Sequence, residues 1–151
     1  MSKKPHLLIV ESPYYLDITN ELIKGATAVL DNAGATYDRV SVPGAFEIPA
    51  AIRFAADATE AGKASYDGYI GLGCVIRGET SHYDYVCGES ARGLQDLAIR
   101  DRLAIGYGVL TVENGDQAWA RASVDKGNKG GFVAEVALRM IELKQQFGLI
   151  K

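Results

Sequence analysis

Four short apolar runs, each followed by a stretch with helical periodicity, restrict the fold of this chain more than any other feature of its sequence. The runs are Leu7–Val10, Thr36–Val42, Tyr69–Ile76 and Ile105–Val112. Such runs, bounded by turn residues, are typical of buried strands. Helices are expected at about Leu16–Asn32, Glu47–Ala61, His82–Arg102, from Asp116 in a shorter segment, and at Gly130–Phe147. Strands alternating with helices predict an α/β domain with a four-stranded parallel sheet between two helical layers.

The same periodicity predicts which face of each helix packs against the sheet. For the third helix the predicted inner face consists of Tyr83, Val86, Cys87, Ser90, Ala91, Leu94 and Ala98. For the last helix it consists of Phe132, Val133, Val136, Met140 and Ile141. The first helix is expected to stop at Gly34 and the second before Gly62, because glycine accepts the backbone conformation that ends a helix.

The composition favours one globular domain spanning residues 1–151. The chain has 151 residues, of which 48% are hydrophobic, enough for a sizeable core, so intrinsic disorder is excluded. Its 16 Lys and Arg against 19 Asp and Glu give a net charge of −3. Because no basic block is present, we expect neither a nucleic-acid-binding protein nor a membrane-bound one.

The cysteines and the first residues favour a cytoplasmic protein. Cys74 and Cys87 are the 2 cysteines, too few for a structural zinc set or a disulfide scaffold, and we expect both to be packing residues. The run Leu7–Val10 is far shorter than the roughly twenty residues of a membrane span. The start of the chain also lacks a signal-peptide pattern.

The loops that follow the strands are where a ligand is expected, because open α/β sheets bind ligands at the carboxyl ends of their strands. They comprise residues 11–15, 43–47, 77–82 and 113–115. In the third loop, Ser81 followed by Asp84 fits an N-terminal capping pattern. The pattern groups the N–H groups of residues 79–82 around one point, which attracts a phosphate.

His82 lies in the first turn of the helix that follows this loop. The positive end of the helix dipole favours its neutral form, which can accept a proton near pH 7. The pattern therefore indicates proton transfer on a phosphorylated substrate. The alternative is that Thr80 or Ser81 only caps the helix and His82 is an ordinary surface residue.

Further candidates each have a structural alternative. Glu47 could bind a polyol or an amine, or it could simply supply favourable charge at a helix N-terminus. Arg121 could hold a phosphate with two hydrogen bonds, or be solvated. Tyr14 or Tyr15, and also Tyr107, could stack on a flat ring or serve as core or rim residues.

Other chemistries lack their motifs. Gly71 and Gly73 begin like a dinucleotide-binding fingerprint, but Ile76 stands where the third glycine belongs, so a Rossmann site is not predicted. The sequence has no Gly-Lys-Ser/Thr phosphate loop, no histidine pair with metal spacing and no Gly-x-Ser-x-Gly elbow. We therefore expect neither a metal site nor serine-hydrolase chemistry.

Several motifs in order resemble the lumazine synthase family across nearly the whole chain. They are Val42–Pro49 (VPGAFEIP), Gly73–Val86 (GCVIRGETSHYDYV), Gly108–Asn114 (GVLTVEN), Gln117–Ala122 (QAWARA) and Gly127–Gly130 (GNKG). The resemblance implies a flavodoxin-like fold. It also implies the cofactor-free condensation of 5-amino-6-(D-ribitylamino)uracil with 3,4-dihydroxy-2-butanone 4-phosphate to 6,7-dimethyl-8-ribityllumazine, with release of phosphate and water.

The resemblance also implies roles for individual residues. His82 looks like the proton donor and acceptor. The phosphate would be bound by Glu79, Thr80 and Arg121, with the Glu79 carboxylate pointing away from the anion. The ribitylaminouracil would contact Tyr14 (or its neighbour Tyr15), Ala45, Phe46, Glu47, Cys74, Val75, Ile76, Tyr107 and Lys129.

The family's assembly implies a site shared between chains of a homopentamer. Tyr107, Arg121 and Lys129 would complete the cleft of a neighbouring subunit. Assembly of pentamers into a hollow shell, and riboflavin synthase as a partner, are further possibilities that the family suggests. A flavodoxin-like module that binds a flavin or lumazine without turnover, and a purely structural shell subunit, are the alternatives.

Overall fold

The computed structural model describes residues 4–150, so the first residues used in the argument on localisation lie outside the described part. The strands are β1 (His6–Glu11), β2 (Thr36–Ser41), β3 (Gly68–Ile76) and β4 (Ile105–Val112). The helices are α1 (Leu16–Asn32), α2 (Ile48–Glu60), α3 (His82–Arg100), α4 (Gly115–Ala122) and α5 (Lys129–Gln146). A 3-10 turn, Ala45–Glu47, precedes α2. The predicted order of strands and helices is confirmed.

All four strands are parallel and lie in the order β2-β1-β3-β4. Strand β3 is central: Leu72 lies opposite both Glu11 of β1 and Gly108 of β4. The carboxyl ends of β1 and β3 therefore lie side by side, and the loops that follow them share one edge of the sheet.

Successive strand residues point to opposite faces of the sheet, and each face has its own core. Leu7 and Ile9 pack with α1, α4 and α5, whereas Leu8 and Val10 pack with α2 and α3. The architecture is a single domain with three αβα layers, as predicted. No helix within residues 4–150 is long and apolar enough to cross a bilayer.

The expectation that every strand is buried is wrong for β2. Its residues are almost all exposed, because β2 is an edge strand over which the helices hardly pack: among its residues only Tyr37 contacts a core cluster. The Arg39 side chain on β2 donates to both carboxylate oxygens of the buried Glu11, at 2.7 and 2.9 Å. This charged pair holds β2 to β1 at the functional edge of the sheet.

The predicted helix faces need correction in α3 and α5. In α3, Ala91 is exposed and Leu97 is buried. In α5, Phe132 and Met140 are exposed, and small residues, Ala134 and Ala137, are buried instead. The reason is that the buried stripe of α5 approaches its neighbours closely, at Gly130 against α1 and at Ala137 against Gly106 of β4, which leaves no space there for large side chains.

Glycines permit this approach and end α1. A Cβ atom added at Gly130 of α5 would lie 2.0 Å from the carbonyl oxygen of Leu22 in α1. Gly34 has a φ angle of +74° directly after α1, as expected for a residue that terminates a helix. Both cysteines are free; Cys74 is buried and Cys87 is half-buried, in line with their predicted packing role.

Candidate functional site

A cleft of about 710 Å³ opens at the carboxyl edge of the sheet. It brings together many of the residues predicted from the sequence, namely Tyr14, Tyr15, Ala45, Phe46, Glu47, Cys74, Val75, Ile76, Thr80 and His82. Residues that were not singled out as site residues also line it. Ser12, Pro43, Gly44 and Gly78 belong to the loops in which a ligand was expected, whereas Tyr83, Tyr85 and Val86 lie on α3. Tyr85 and Val86 could have been found from their spacing of three and four residues from His82 on a helix.

The loop after β1 is fixed by buried hydrogen bonds around Ser12. Its N–H donates to the carbonyl of Leu72 (2.8 Å), and its carbonyl accepts from the Thr19 hydroxyl (2.9 Å). Beyond it, Tyr14 is 74% exposed, and Tyr15 packs against the core. The two rings meet edge to face at 4.9 Å. Tyr14 therefore has the ring face that is more open to a ligand.

The 3-10 turn places an aromatic ring and a carboxylate on the opposite wall. Ala45 is buried and anchors the turn, whereas Phe46 and Glu47 are exposed at the cleft. The Glu47 N–H donates to the carbonyl of Gly44 (3.2 Å), and the carboxylate makes no capping hydrogen bond with α2. The Glu47 side chain therefore remains available as a hydrogen-bond acceptor in the cleft.

The capping pattern predicted for α3 is wrong in its details. Ser81 occupies the N-cap position, but its backbone is already helical and its hydroxyl makes no cap hydrogen bond. N-cap side chains reach the first turn from an extended backbone, which Ser81 lacks. The Thr80 hydroxyl instead accepts a hydrogen bond from the N–H of His82 (3.3 Å). His82 itself is exposed and lines the cleft.

Cys74 contributes to the wall of the cleft at the end of β3. Burial, with a smaller contribution from Cys87, raises the pKa of the Cys74 thiol to about 11. The thiol is therefore protonated at neutral pH. A protonated thiol is a poor nucleophile, so Cys74 serves as a packing surface rather than a reactive group.

Four predicted site residues lie outside the cleft of their own chain. Glu79 is exposed on the β3–α3 loop and does not line the cleft. Tyr107 lies on β4, and Arg121 lies on α4, where its guanidinium donates to the Gln117 carbonyl (3.0 Å). The Lys129 ammonium lies 4.9 Å from the centre of the Phe132 ring. One chain thus supplies only part of the predicted set around its cleft.

The cleft has few charged groups of its own. Among the described residues that line it, Glu47 and His82 can carry charge, and no Lys or Arg is present. Within residues 4–150, no three or more His, Cys, Asp or Glu side chains lie close enough together to hold a metal ion. An anion bound here must therefore depend on backbone N–H groups, hydroxyls and cations from elsewhere.

Comparisons with known proteins identify one family. The sequence model for 6,7-dimethyl-8-ribityllumazine synthase matches residues 4–145. The enzyme of that name from Bartonella tribocorum is 59% identical over 148 residues, which cover 98% of this chain and 95% of the relative. 6,7-Dimethyl-8-ribityllumazine synthase 1 from Rhizobium meliloti is 58% identical over 99% of this chain and 97% of its own length. The Agrobacterium fabrum synthase is 55% identical over 96% and 98%, respectively.

Proposed function

Because the chain belongs to the 6,7-dimethyl-8-ribityllumazine synthase family, it is an enzyme of riboflavin biosynthesis, and we propose that its reaction takes place in the cleft around His82. The reaction condenses 5-amino-6-(D-ribitylamino)uracil with 3,4-dihydroxy-2-butanone 4-phosphate. The amine forms an imine with the ketone as water leaves, phosphate leaves by elimination, and ring closure releases a second water. The product is 6,7-dimethyl-8-ribityllumazine, and no cofactor takes part.

The pyrimidine would lie against the end of β3. Cys74, Val75 and Ile76 form that wall of the cleft, and the exposed ring of Tyr14 stands at its side for stacking. The ribityl chain would extend along the 3-10 turn, where the free carboxylate of Glu47 accepts hydrogen bonds from its hydroxyls. Ala45 and Phe46 would complete this part of the site.

The phosphate would bind at the start of α3. The backbone N–H groups of the loop, including that of Glu79, and the hydroxyl of Thr80 lie next to the N-terminus of α3. They would donate hydrogen bonds to the anion, which the positive end of the helix dipole also favours. His82 lies beside this point and would move protons during imine formation and elimination. Within residues 4–150 the His82 imidazole makes no hydrogen bond to another side chain, so it is free to turn toward the substrate.

A neighbouring subunit would supply the missing cation. The cleft has no Lys or Arg among its described lining residues, yet its substrate carries a phosphate dianion. Arg121 is exposed, and Tyr107 and Lys129 also lie away from their own cleft. In a homopentamer these three residues would complete the site of the next chain. Exposed apolar side chains such as Phe54 and Ile99 give the surface for such contacts.

The wider assembly and location of the enzyme are part of the proposal. Pentamers could be packed into a hollow shell, and the short link from Ala122 to Lys129 would not obstruct that packing. Riboflavin synthase is proposed as a partner of the assembly, and the cytoplasm as its location.

The observation that carries the proposal is the convergence of Glu47, the end of β3 and His82 on one cleft. The test is to mix the protein with both substrates and to follow inorganic phosphate and lumazine absorbance together. We expect the two products to appear in equal amounts. Bound chromophore without phosphate release would indicate a binding module instead, and assembly with neither signal would indicate a structural subunit.

A further inference from the structure

Arg77 links the loop that precedes α3 to the segment that follows β4. Its backbone N–H continues the strand ladder by donating to the Val112 carbonyl (2.9 Å). Its guanidinium donates to the Glu113 carboxylate (2.9 Å) and lies 3.5 Å from the Asp84 carboxylate. The same guanidinium lies 4.3 Å from the centre of the ring of Tyr83, which is the residue after His82. Arg77 does not line the cleft itself.

Residues 78–81 have little else to hold them in place. They are exposed, and a Cβ atom added at Gly78 would have no neighbour within 4 Å. The contacts of Arg77 with Asp84 and Tyr83 join the two ends of this loop, so they restrict where its N–H groups can point. Groups that position a substrate matter greatly, since a displacement of about 1 Å can lower a rate by about a hundredfold.

The network continues to Arg121. The backbone N–H of Glu113 donates to the side-chain oxygen of Gln117 (2.8 Å). The backbone carbonyl of Gln117 accepts from the Arg121 guanidinium (3.0 Å). Arg77 and Glu113 therefore connect the loop before α3 with the helix that carries the proposed phosphate cation. In a ring, the loop before α3 would belong to the cleft of its own subunit, and Arg121 would belong to the cleft of the next subunit.

We propose that Arg77 is a positioning residue that, through Glu113, fixes the phosphate-binding loop 78–81 and the Arg121 segment relative to each other. The inference rests on the proposed function. Arg77 makes no contact with the reacting atoms; it acts through the residues it holds. Because its ion pairs are partly exposed to solvent, they contribute little to overall stability. Losing them should change catalysis and leave the unfolding temperature nearly unchanged.

The test compares R77Q, E113Q and the double variant. Each should raise KM for the phosphorylated ketone roughly three- to tenfold, with KM for the pyrimidine little changed. The double variant should be no worse than R77Q, because both changes remove the same link. R77K, which keeps one charge near Glu113, should recover part of the loss. The matched control is R92Q, since Arg92 also pairs with two carboxylates, Glu89 and Asp96, on α3.

Three results would overturn the inference. One is an unchanged KM for the phosphorylated ketone in both R77Q and E113Q. Another is an impaired R77Q beside a normal E113Q, which would mean that Arg77 contacts the phosphate directly. The third is an equal loss in R92Q. If R77Q does not fold, E113Q decides alone. A wild-type protein that forms no lumazine would instead refute the proposed function.

Discussion

A variant without Arg121 and a variant without His82 should restore each other's activity when their subunits share one ring. Each variant alone lacks one group at every site. If a site takes His82 from one subunit and Arg121 from the next, a mixed ring contains some sites with both groups intact. Such heterologous contacts repeat around a closed ring, so the fraction of intact sites follows from counting neighbours.

The expected losses of activity are large enough to distinguish a site shared between subunits from a site within one subunit. Within the part of the chain that the structure describes, Arg121 makes one hydrogen bond, to the Gln117 backbone carbonyl, so its other donors are free for an anion. Losing a charged hydrogen-bond partner costs about 1.5–3 kcal/mol, which is about ten- to a hundredfold in activity. Losing a general acid/base costs about 10²- to 10⁴-fold. With equal random mixing, about one quarter of the sites hold both groups, so activity should recover to about a quarter of wild type.

The assay uses co-expressed R121A and H82A subunits, with mixing confirmed by mass spectrometry and phosphate release measured per site. The matched control is H82A mixed with E47A. Glu47 and His82 line the same cleft of one chain, so no mixed ring contains a site with both intact. Activity of the R121A and H82A mixture equal to the average of the separate variants would refute the shared site. Recovery in the E47A mixture would refute it equally.

Further predictions concern the chemistry and the packing. His82→Ala should lower kcat by about 10²- to 10⁴-fold and leave measurable turnover, because positioning of two substrates supplies much of the rate; complete loss with intact circular dichroism would contradict this. Gly130→Ala should lower the free energy of unfolding, measured by urea denaturation, by about 1–3 kcal/mol or more, because the added methyl group would meet the backbone of Leu22. Gly88→Ala, in open space on α3, should be neutral or stabilising; equal effects of the two changes would contradict the close packing. Iodoacetamide should label Cys74 slowly at neutral pH and faster as the pH rises toward 11, because only the thiolate reacts; fast labelling of the folded protein at pH 7 would contradict its burial.

The order of strands and helices could be predicted because periodicity is a local property of sequence. Burial of a strand is not local. Thr36–Ser41 has the residues of a strand, but it is exposed because it lies at the edge of the sheet where the helices hardly cover it, unlike the other edge strand, β4. Likewise, helical spacing predicts Phe132 on the buried face of α5, but Phe132 is exposed. The face that is buried is a stripe of small residues, because α5 packs closely against its neighbours. Both errors concern contacts between segments that are distant in sequence.

The loops of the site could be located because parallel strands end at one edge. Glu47 and His82 follow directly from that rule, and both line the cleft. The capping hydrogen bond predicted for Ser81 is absent, because such a bond depends on backbone angles that the sequence motif does not determine. The Arg77 network was also missed, since it joins residues 36 positions apart along the chain.

The position of β3 explains why the proposed phosphate loop begins where it does. This strand is hydrogen-bonded to a neighbour on both sides, so its end is more firmly held than the end of either edge strand. The exposed residues 78–81 extend from this held end. Besides local hydrogen bonds with the first turn of α3, the contacts of Arg77 with Tyr83 and Asp84 hold the two ends of this loop together. A facile condensation depends more on holding its two substrates in the correct relative orientation than on a strong acid or base. A loop that extends from the central strand and is linked by Arg77 to Glu113 can hold the substrates in that way. Under the proposed function, the cation that the cleft lacks comes from a second subunit.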